Sequence, residues 1–322
     1  MTWHQDAGNA DLMVRLRAAL AGGGRVLVFL GAGVSYGAAR IKSRQYFDNE
    51  KYRPWPPFDH PHSEWSSNDD GLPLPSWPWL VSRMHRELVH HSDSSEHESL
   101  AKFFLEEGPL DCAQLFRQTV GEANYREFLL AQFSIDRQPF IEVTQSHRAL
   151  IELDLPLLFT TNYDELIELA YLQAGTPIRV SISEEQFIAR RAEQPARHLV
   201  KLHGSIDQPA TIVLTRNDYA RARIERKEML NHLRSEMAET SFLFVGFSLS
   251  DPNFGLLYDD IRMVYEMNVP ASYTVQARRD PVKQRYLMSM DINTIWLDGW
   301  NQLPQFLSRL SPTFAEPETR TS

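Results

Sequence analysis

The chain has 322 residues, 43% hydrophobic and 23% charged, a balance that supports a full buried core and excludes disorder as the main state. Acidic residues outnumber basic ones by 42 to 33, and the resulting net charge of −9 disfavours direct nucleic-acid binding. The one cysteine, Cys112, permits neither an internal disulfide nor a cysteine-based zinc site. With no signal-peptide pattern and no apolar run of about 20 residues, we expect a cytoplasmic protein that uses neither a membrane nor a metal.

The N-terminal part of the chain predicts one helix and one buried strand. Residues 10–21 carry apolar side chains at helical spacing, and the glycines that follow end the helix. Residues 25–30 are a short apolar run, which is typical of a strand buried on both faces of a parallel sheet. The next comparable strand, over 155–161, comes more than a hundred residues later, which indicates a large insertion.

The insertion has two parts. Residues 54–79 are rich in proline and tryptophan, so we predict an irregular loop there and consider it a candidate lid over a site. From residue 79 to 150, apolar residues recur three or four apart in several segments, which predicts helices.

Helices and strands alternate after residue 161. The predicted helices cover 163–174, 217–239, 251–267 and 303–310, and the predicted strands cover 198–202, 211–215, 241–247, 271–276 and 293–297. This order favours an α/β fold, a doubly wound Rossmann-like parallel sheet with a helical insertion subdomain. We predict a core formed by 1–39 and 151–310, an insertion at 40–150, and a disordered tail at 311–322.

A glycine-rich turn follows the first strand directly. Glycines at 31 and 33 let backbone N–H groups approach a phosphate without interference from a Cβ atom, and Ser35 adds a hydroxyl. The spacing departs from the dinucleotide-binding pattern, and no strand with an acidic end follows about 20 residues later. A simple tight turn therefore stays open as an alternative.

Other predicted strand ends carry small or polar residues, at the edge of the sheet where open α/β sheets bind ligands. These residues are Thr161, Asn162 and Asp164 after one strand, His203 after the next, and Gly246 and Ser248 after a third. Taken alone, Asp164 is equally typical of a helix N-terminus, and His203 of a structural histidine. An imidazole at this edge is also suited to general-base chemistry near neutral pH.

The ordered set GAGVS, PLPSW, TTNYD, KLHG and VGFSLSDP resembles the sirtuin-like family of NAD-binding proteins, in particular its bacterial antiphage-defence branch. The resemblance implies that the first motif holds the NAD+ pyrophosphate, the third contacts the nicotinamide end, the fourth supplies the base, and the last contacts the adenosine side. The residues concerned are Gly31, Ala32, Gly33 and Ser35; Thr161, Asn162 and Asp164; His203; and Gly246 and Ser248.

Two departures from the family pattern bear on the reaction. Sirtuin deacylases hold a structural zinc with four cysteines, which this chain lacks, and Thr161 replaces the glutamine that usually precedes the catalytic asparagine. The resemblance therefore favours NAD+ hydrolysis to nicotinamide and ADP-ribose, with cyclisation as a minor route. A protein deacylase and a non-catalytic sensor of NAD+ or ADP-ribose stay open as alternatives.

The resemblance also implies partners. Family members are commonly homo-oligomers, and some act with a hexameric translocase ATPase, so we expect regulation by assembly or by such a partner. The sequence has no phosphate-binding ATPase loop of its own.

Overall fold

The computed structural model describes residues 3–21, 26–35, 37–38, 74, 77–137, 141–191, 197–249, 252–264, 269–311 and 314. Its strands are β1 (Val26–Leu30), β2 (Leu157–Thr160), β3 (Ile178–Ser181), β4 (Arg197–Lys201), β5 (Ser241–Val245), β6 (Ser272–Ala277) and β7 (Ile292–Leu297). Its helices are α1 (Ala7–Ala21), α2 (Trp77–His91), α3 (His97–Glu106), α4 (Pro109–Phe133), α5 (Gln145–Ile151), α6 (Leu166–Gln173), α7 (Glu184–Arg191), α8 (Arg216–Glu225), α9 (Lys227–Glu239), α10 (Pro252–Val264), α11 (Pro281–Ser289) and α12 (Leu303–Leu310).

The strands form one parallel sheet in the order β3-β4-β2-β1-β5-β6-β7. β1 lies between β2 and β5, so the chain winds outward from β1 in both directions. The predicted doubly wound parallel sheet is thereby confirmed. The carboxyl ends of β2, β1 and β5 lie side by side at the point where the winding reverses, which is where open α/β sheets bind ligands.

Both faces of the sheet are buried, as the apolar strands predict. In β1, Val26, Val28 and Leu30 point into a core formed with α1, α5, α6 and α12. Leu27 and Phe29 point to the opposite core, which α7, α9, α10 and α11 complete. This alternation fixes the register of β1, because a shift by one residue would exchange the two sets of side chains.

Helices α2, α3 and α4 lie between β1 and β2 in the chain and share a separate apolar core. Ile206 and Leu214, which lie beyond β4, pack into the same core. The predicted loop over 54–79 lies mostly outside the described residues, but its last part, from Trp77, is already helical, since a proline is tolerated in the first turn of a helix. The division of the chain into core, insertion and tail stays a prediction.

Two predicted elements are wrong. Residues 211–215 form no strand, because Val213 donates its N–H to the carbonyl of His203 instead of to a sheet neighbour, and its flanking apolar residues pack on the helical insertion. The helix predicted over 217–239 is two helices, α8 and α9, which break at Arg226. The sequence analysis also missed β3, α7 and α11. None of the described helices has both the length and the apolar character needed to cross a bilayer.

Candidate functional site

The turn after β1 and the turn after β5 are packed backbone against backbone. The N–H of Gly31 donates to the Val245 carbonyl at 3.0 Å, and the N–H of Gly33 donates to the Gly246 carbonyl at 2.9 Å. A Cβ atom on Gly31 would lie 2.5 Å from the Gly246 oxygen, and one on Gly246 would lie 2.6 Å from the carbonyl carbon of Gly33. Gly246 also has a φ of +62°, a conformation that favours glycine. These glycines are therefore required by close approach and not only by turn geometry.

The turn after β2 is tied to the turn after β1. The buried amide of Asn162 donates through Nδ2 to the Gly31 carbonyl at 3.2 Å. The N–H of Asn162 donates to Thr160 Oγ1 at 3.0 Å, and that hydroxyl donates to the Leu30 carbonyl, also at 3.0 Å. Two motifs that lie about 130 residues apart in the chain thus share one hydrogen-bond network.

Asp164 lies below this turn and is 4% exposed. Its Oδ1 accepts the N–H of Leu166 at 3.1 Å, and its Oδ2 accepts a hydrogen bond from Ser35 Oγ at 3.5 Å. Burial raises the pKa of Asp164, while the nearby Lys201 ammonium opposes that shift. Ser35 and Asp164, predicted from separate motifs, are therefore brought together, and Asp164 also accepts the N–H of Leu166, the first residue of α6.

Two buried residues of this site were missed in the sequence. His147 lies with Nε2 at 3.4 Å from Ser35 Oγ, and Lys201 donates through Nζ to the Asp164 carbonyl at 2.7 Å. The signal for Lys201 is a cation at the end of an apolar strand, where burial requires partners. The signal for His147 is its place three residues after Thr144, a spacing typical of a helix N-terminal capping box.

His203 lies at the end of the next strand, β4, and is 6% exposed. Its ring contacts Tyr219 edge-on, with 5.1 Å between ring centroids. His203, Thr161 and Arg226 line a small pocket whose other walls are apolar. Two further predicted residues, Ala32 and Ser248, are exposed at the same edge. The NAD+-contacting and catalytic roles of all these residues stay predictions.

Arg226, at the break between α8 and α9, holds the turn that carries His203. Its guanidinium donates to the carbonyls of Leu202 and Thr211, and to that of Lys201 at 3.4 Å. These carbonyls flank His203 on both sides in the chain. Burial lowers the pKa of Arg226 to about 10, so it stays charged at neutral pH.

Arg226→Lys is expected to lower the free energy of unfolding by about 1–3 kcal/mol, because a lysine ammonium keeps the charge but lacks the planar fork that reaches carbonyls on both sides of the turn. Urea denaturation measures this loss. The matched control is Arg221→Lys on exposed α8, which should stay within about 0.5 kcal/mol of wild type. Equal stability of the two variants would contradict the role assigned to Arg226.

The described part of the chain has no group of three or more histidine, cysteine, aspartate or glutamate side chains placed to hold a metal ion. What the site does present is a set of strand ends with glycines, other small residues and a few polar side chains. Doubly wound sheets with a glycine turn at the switch point form a class of nucleotide-binding proteins.

A family comparison narrows this class. Residues 156–295 match the family model described as the SIR2-like domain. This match confirms the resemblance to sirtuins inferred from the motifs. The matched range includes Asn162, Asp164, His203 and Gly246, whereas the turn at 31–35 lies outside it and is joined to it by the contacts described above.

Several relatives have assigned names. The NAD(+) hydrolase ThsA of Bacillus cereus is 24% identical over 253 residues, 73% of this chain and 50% of that protein. The NAD(+) hydrolase ThsA of Enterococcus faecium is 31% identical over 152 residues, 47% of this chain and 31% of that protein. Defense-associated sirtuin 2 of Bacillus subtilis is 24% identical over 217 residues, 66% of this chain and 20% of that protein. The chain spans about half the length, or less, of these relatives.

Proposed function

We propose that this protein is an NAD+ hydrolase that releases nicotinamide and ADP-ribose, and that it acts in antiphage defence. The observation that carries the proposal is the convergence of Gly31, Asn162, Asp164 and His203 at the ends of neighbouring strands around the switch point. The SIR2-like match and the names of the relatives support the same activity.

The reaction breaks the bond between C1′ of the ribose and the pyridinium nitrogen. Nicotinamide leaves as a neutral molecule, so it needs no proton, and positive charge develops on the ribose ring. Water adds its oxygen to C1′ and loses one proton, which gives ADP-ribose. The protein must therefore bind and orient NAD+, position a water molecule and accept a proton.

In this proposal each motif has one task. The turn at 31–35 holds the pyrophosphate, and Gly246 and Ser248 face the adenosine end. Asn162, held through its amide to the same turn, positions the nicotinamide ribose or the water. Asp164 fixes the carboxamide, and His203 accepts the proton. Thr161 lines the same small pocket as His203 and contacts the nicotinamide end of NAD+.

The test is chromatographic measurement of nicotinamide release from NAD+ by the purified protein and by Asn162→Ala and His203→Ala. Each variant should lose activity by about 100-fold or more, since each removes a group acting on the reacting atoms. Asn124→Ala and His90→Ala, at exposed positions of the helical insertion, are matched controls that should retain full activity.

The alternatives give different outcomes in the same assay. Release that requires an added acetylated peptide would indicate a deacylase and contradict the proposal. Binding of NAD+ by calorimetry with no release, in the presence and absence of partner proteins, would indicate a sensor.

We further propose that the protein is cytoplasmic, forms homo-oligomers, and is controlled by assembly or by a hexameric translocase ATPase. A protein that consumes NAD+ without control would harm its own cell, which is the reason for expecting such a restraint. Light scattering of the purified protein, and its activity with and without the ATPase, test these statements.

A further inference from the structure

The loop that carries His203 is anchored on the helical insertion. The carbonyl of His203 accepts the N–H of Val213 at 3.0 Å, so the chain returns to His203 at the end of this loop. Ile206, Ile212 and Leu214, in the same loop, pack into the core that α2, α3 and α4 share. His203 follows a strand of the sheet, but its loop is therefore built against an element that is not part of the sheet.

Helix α8 follows this loop and contacts the His203 ring. Tyr219, which is 3% exposed, meets the ring edge-on with 5.1 Å between ring centroids. The neighbouring Asp218 fixes the first turn of α8, because its Oδ2 accepts the N–H groups of Leu214 at 3.3 Å and Thr215 at 3.0 Å. The position of Tyr219 thus depends on the carboxylate that holds the end of the loop.

The other oxygen of Asp218 binds the helical insertion. Arg117 of α4 donates through Nη1 to Asp218 Oδ1 at 2.9 Å, and the Asp218 side chain is only 8% exposed. Arg117 is itself held by its own helix, since it donates through Nε to Glu122 Oε2 at 2.8 Å and lies over the Tyr125 ring. The kink of α4 at Gly121, with a φ of +79°, falls between Arg117 and Glu122. A guanidinium fixed in this way offers its N–H groups to the carboxylate in one defined position.

We propose that the Arg117–Asp218 ion pair lets the helical insertion position the proposed base. The pair holds α8 and the end of the loop, and these in turn hold the ring of His203. Arg117 is a positioning residue in this inference, because it contacts Asp218 and not the reacting atoms. The inference rests on the proposed function for the role of His203, and it goes beyond that function by assigning the insertion a part in turnover. A ligand or partner that moves α4 would change turnover through the same contacts.

Kinetics of NAD+ hydrolysis test this role. Arg117→Met should lower kcat by about tenfold and leave KM within about twofold, because the base is displaced while the turns that hold NAD+ are not. Calorimetry should still find one NAD+ bound per chain, which excludes an inactive fraction as the cause. Arg117→Lys keeps a donor to Asp218 and should recover most of the loss.

Arg126→Met is the matched control. Arg126 is exposed on the same helix and binds the same Glu122 carboxylate at 2.9 Å, so its loss should leave kcat at the wild-type value. Unchanged kcat in Arg117→Met, or a fall in kcat matched by a loss of NAD+-binding sites, would overturn the inference.

A double variant separates action through His203 from a general effect. His203→Ala already lacks the base, so adding Arg117→Met should lower kcat by less than about twofold more. A further tenfold loss would overturn the inference, because Arg117 would then act on the reaction by another route.

A second measurement does not depend on turnover. In protein labelled with 15N-histidine, the His203 ring signals, identified by their absence in His203→Ala, should shift in Arg117→Met and stay in place in Arg126→Met. His203 signals that are the same in wild type and in Arg117→Met would overturn the inference. If the wild-type protein releases no nicotinamide but the shift is found, the proposed function fails and the positioning of His203 by the insertion stands.

Discussion

Lys201→Met is expected to lower the free energy of unfolding by about 3–5 kcal/mol, the cost of breaking a buried ion pair by removing one partner. The Lys201 ammonium is fully buried and donates to Glu168 Oε1 at 2.7 Å, to Ser205 Oγ at 2.9 Å and to the carbonyl of Asp164. Methionine fills a similar volume but leaves all three acceptors without their donor. Urea denaturation followed by circular dichroism measures the change.

Two further variants identify the cause. Lys227→Met, at an exposed lysine that begins α9, should change stability by no more than about 0.5 kcal/mol. Adding Glu168→Gln to Lys201→Met should restore part of the lost stability, because it removes the carboxylate left without its cation. The interpretation would be wrong if Lys201→Met were as stable as Lys227→Met.

Gly246→Ala is expected to weaken substrate binding and to destabilise the fold. The alanine would have to adopt a φ of +62°, and its Cβ would press on the backbone of Gly33, which has no side chain that can move aside. We expect an unfavourable conformational term of about 1–2 kcal/mol and about 1–3 kcal/mol more from the overlap. Because the displaced backbone belongs to the turn that the proposed function assigns to the pyrophosphate, NAD+ affinity measured by calorimetry should fall with stability.

Gly175→Ala is the matched control for this substitution. Gly175 has a φ of +63°, nearly that of Gly246, but a Cβ atom there would meet nothing within 4 Å. Gly175→Ala should therefore lose only the stability that the positive φ costs an alanine, and it should bind NAD+ as wild type does. Equal stability loss in the two variants would mean that close approach of the two turns is not what requires glycine at 246.

The strands that could be predicted from the sequence are those with a continuous apolar run. Residues 26–30 and 241–245 are apolar runs next to glycine, and both are strands buried on two faces. Residues 178–181 were missed because β3 is an edge strand whose first three residues are only partly buried, so its sequence lacks a continuous apolar run. Residues 212–214 have that run but bury it against the helical insertion. An apolar pattern indicates that a segment is buried, but it does not indicate which element the segment packs against.

The site, too, was predictable from local sequence only in part. The residues at strand ends were predictable, since parallel strands bring their carboxyl ends to one edge. The supporting residues were not, because their importance comes from contacts across the chain. Arg226 lies in a charged stretch, 216–227, that is typical of a solvated helix face, yet its own side chain is buried against the turn that carries His203. His147 likewise looks like an ordinary helix residue until Ser35 is placed beside it.

The position of β1 at the centre of the sheet also governs when the site forms during synthesis. Both neighbours of β1 come more than a hundred residues after it, so at about 5–20 residues per second this apolar strand remains unpaired for about 6–25 seconds. Helices α2 to α4 share their own core and are made in that interval. The contact between Gly33 and Gly246 closes only once β5 has left the ribosome. A nascent chain therefore cannot form the contact between the turns after β1 and β5 until late in translation, so the proposed NAD+ site is incomplete in unfinished molecules.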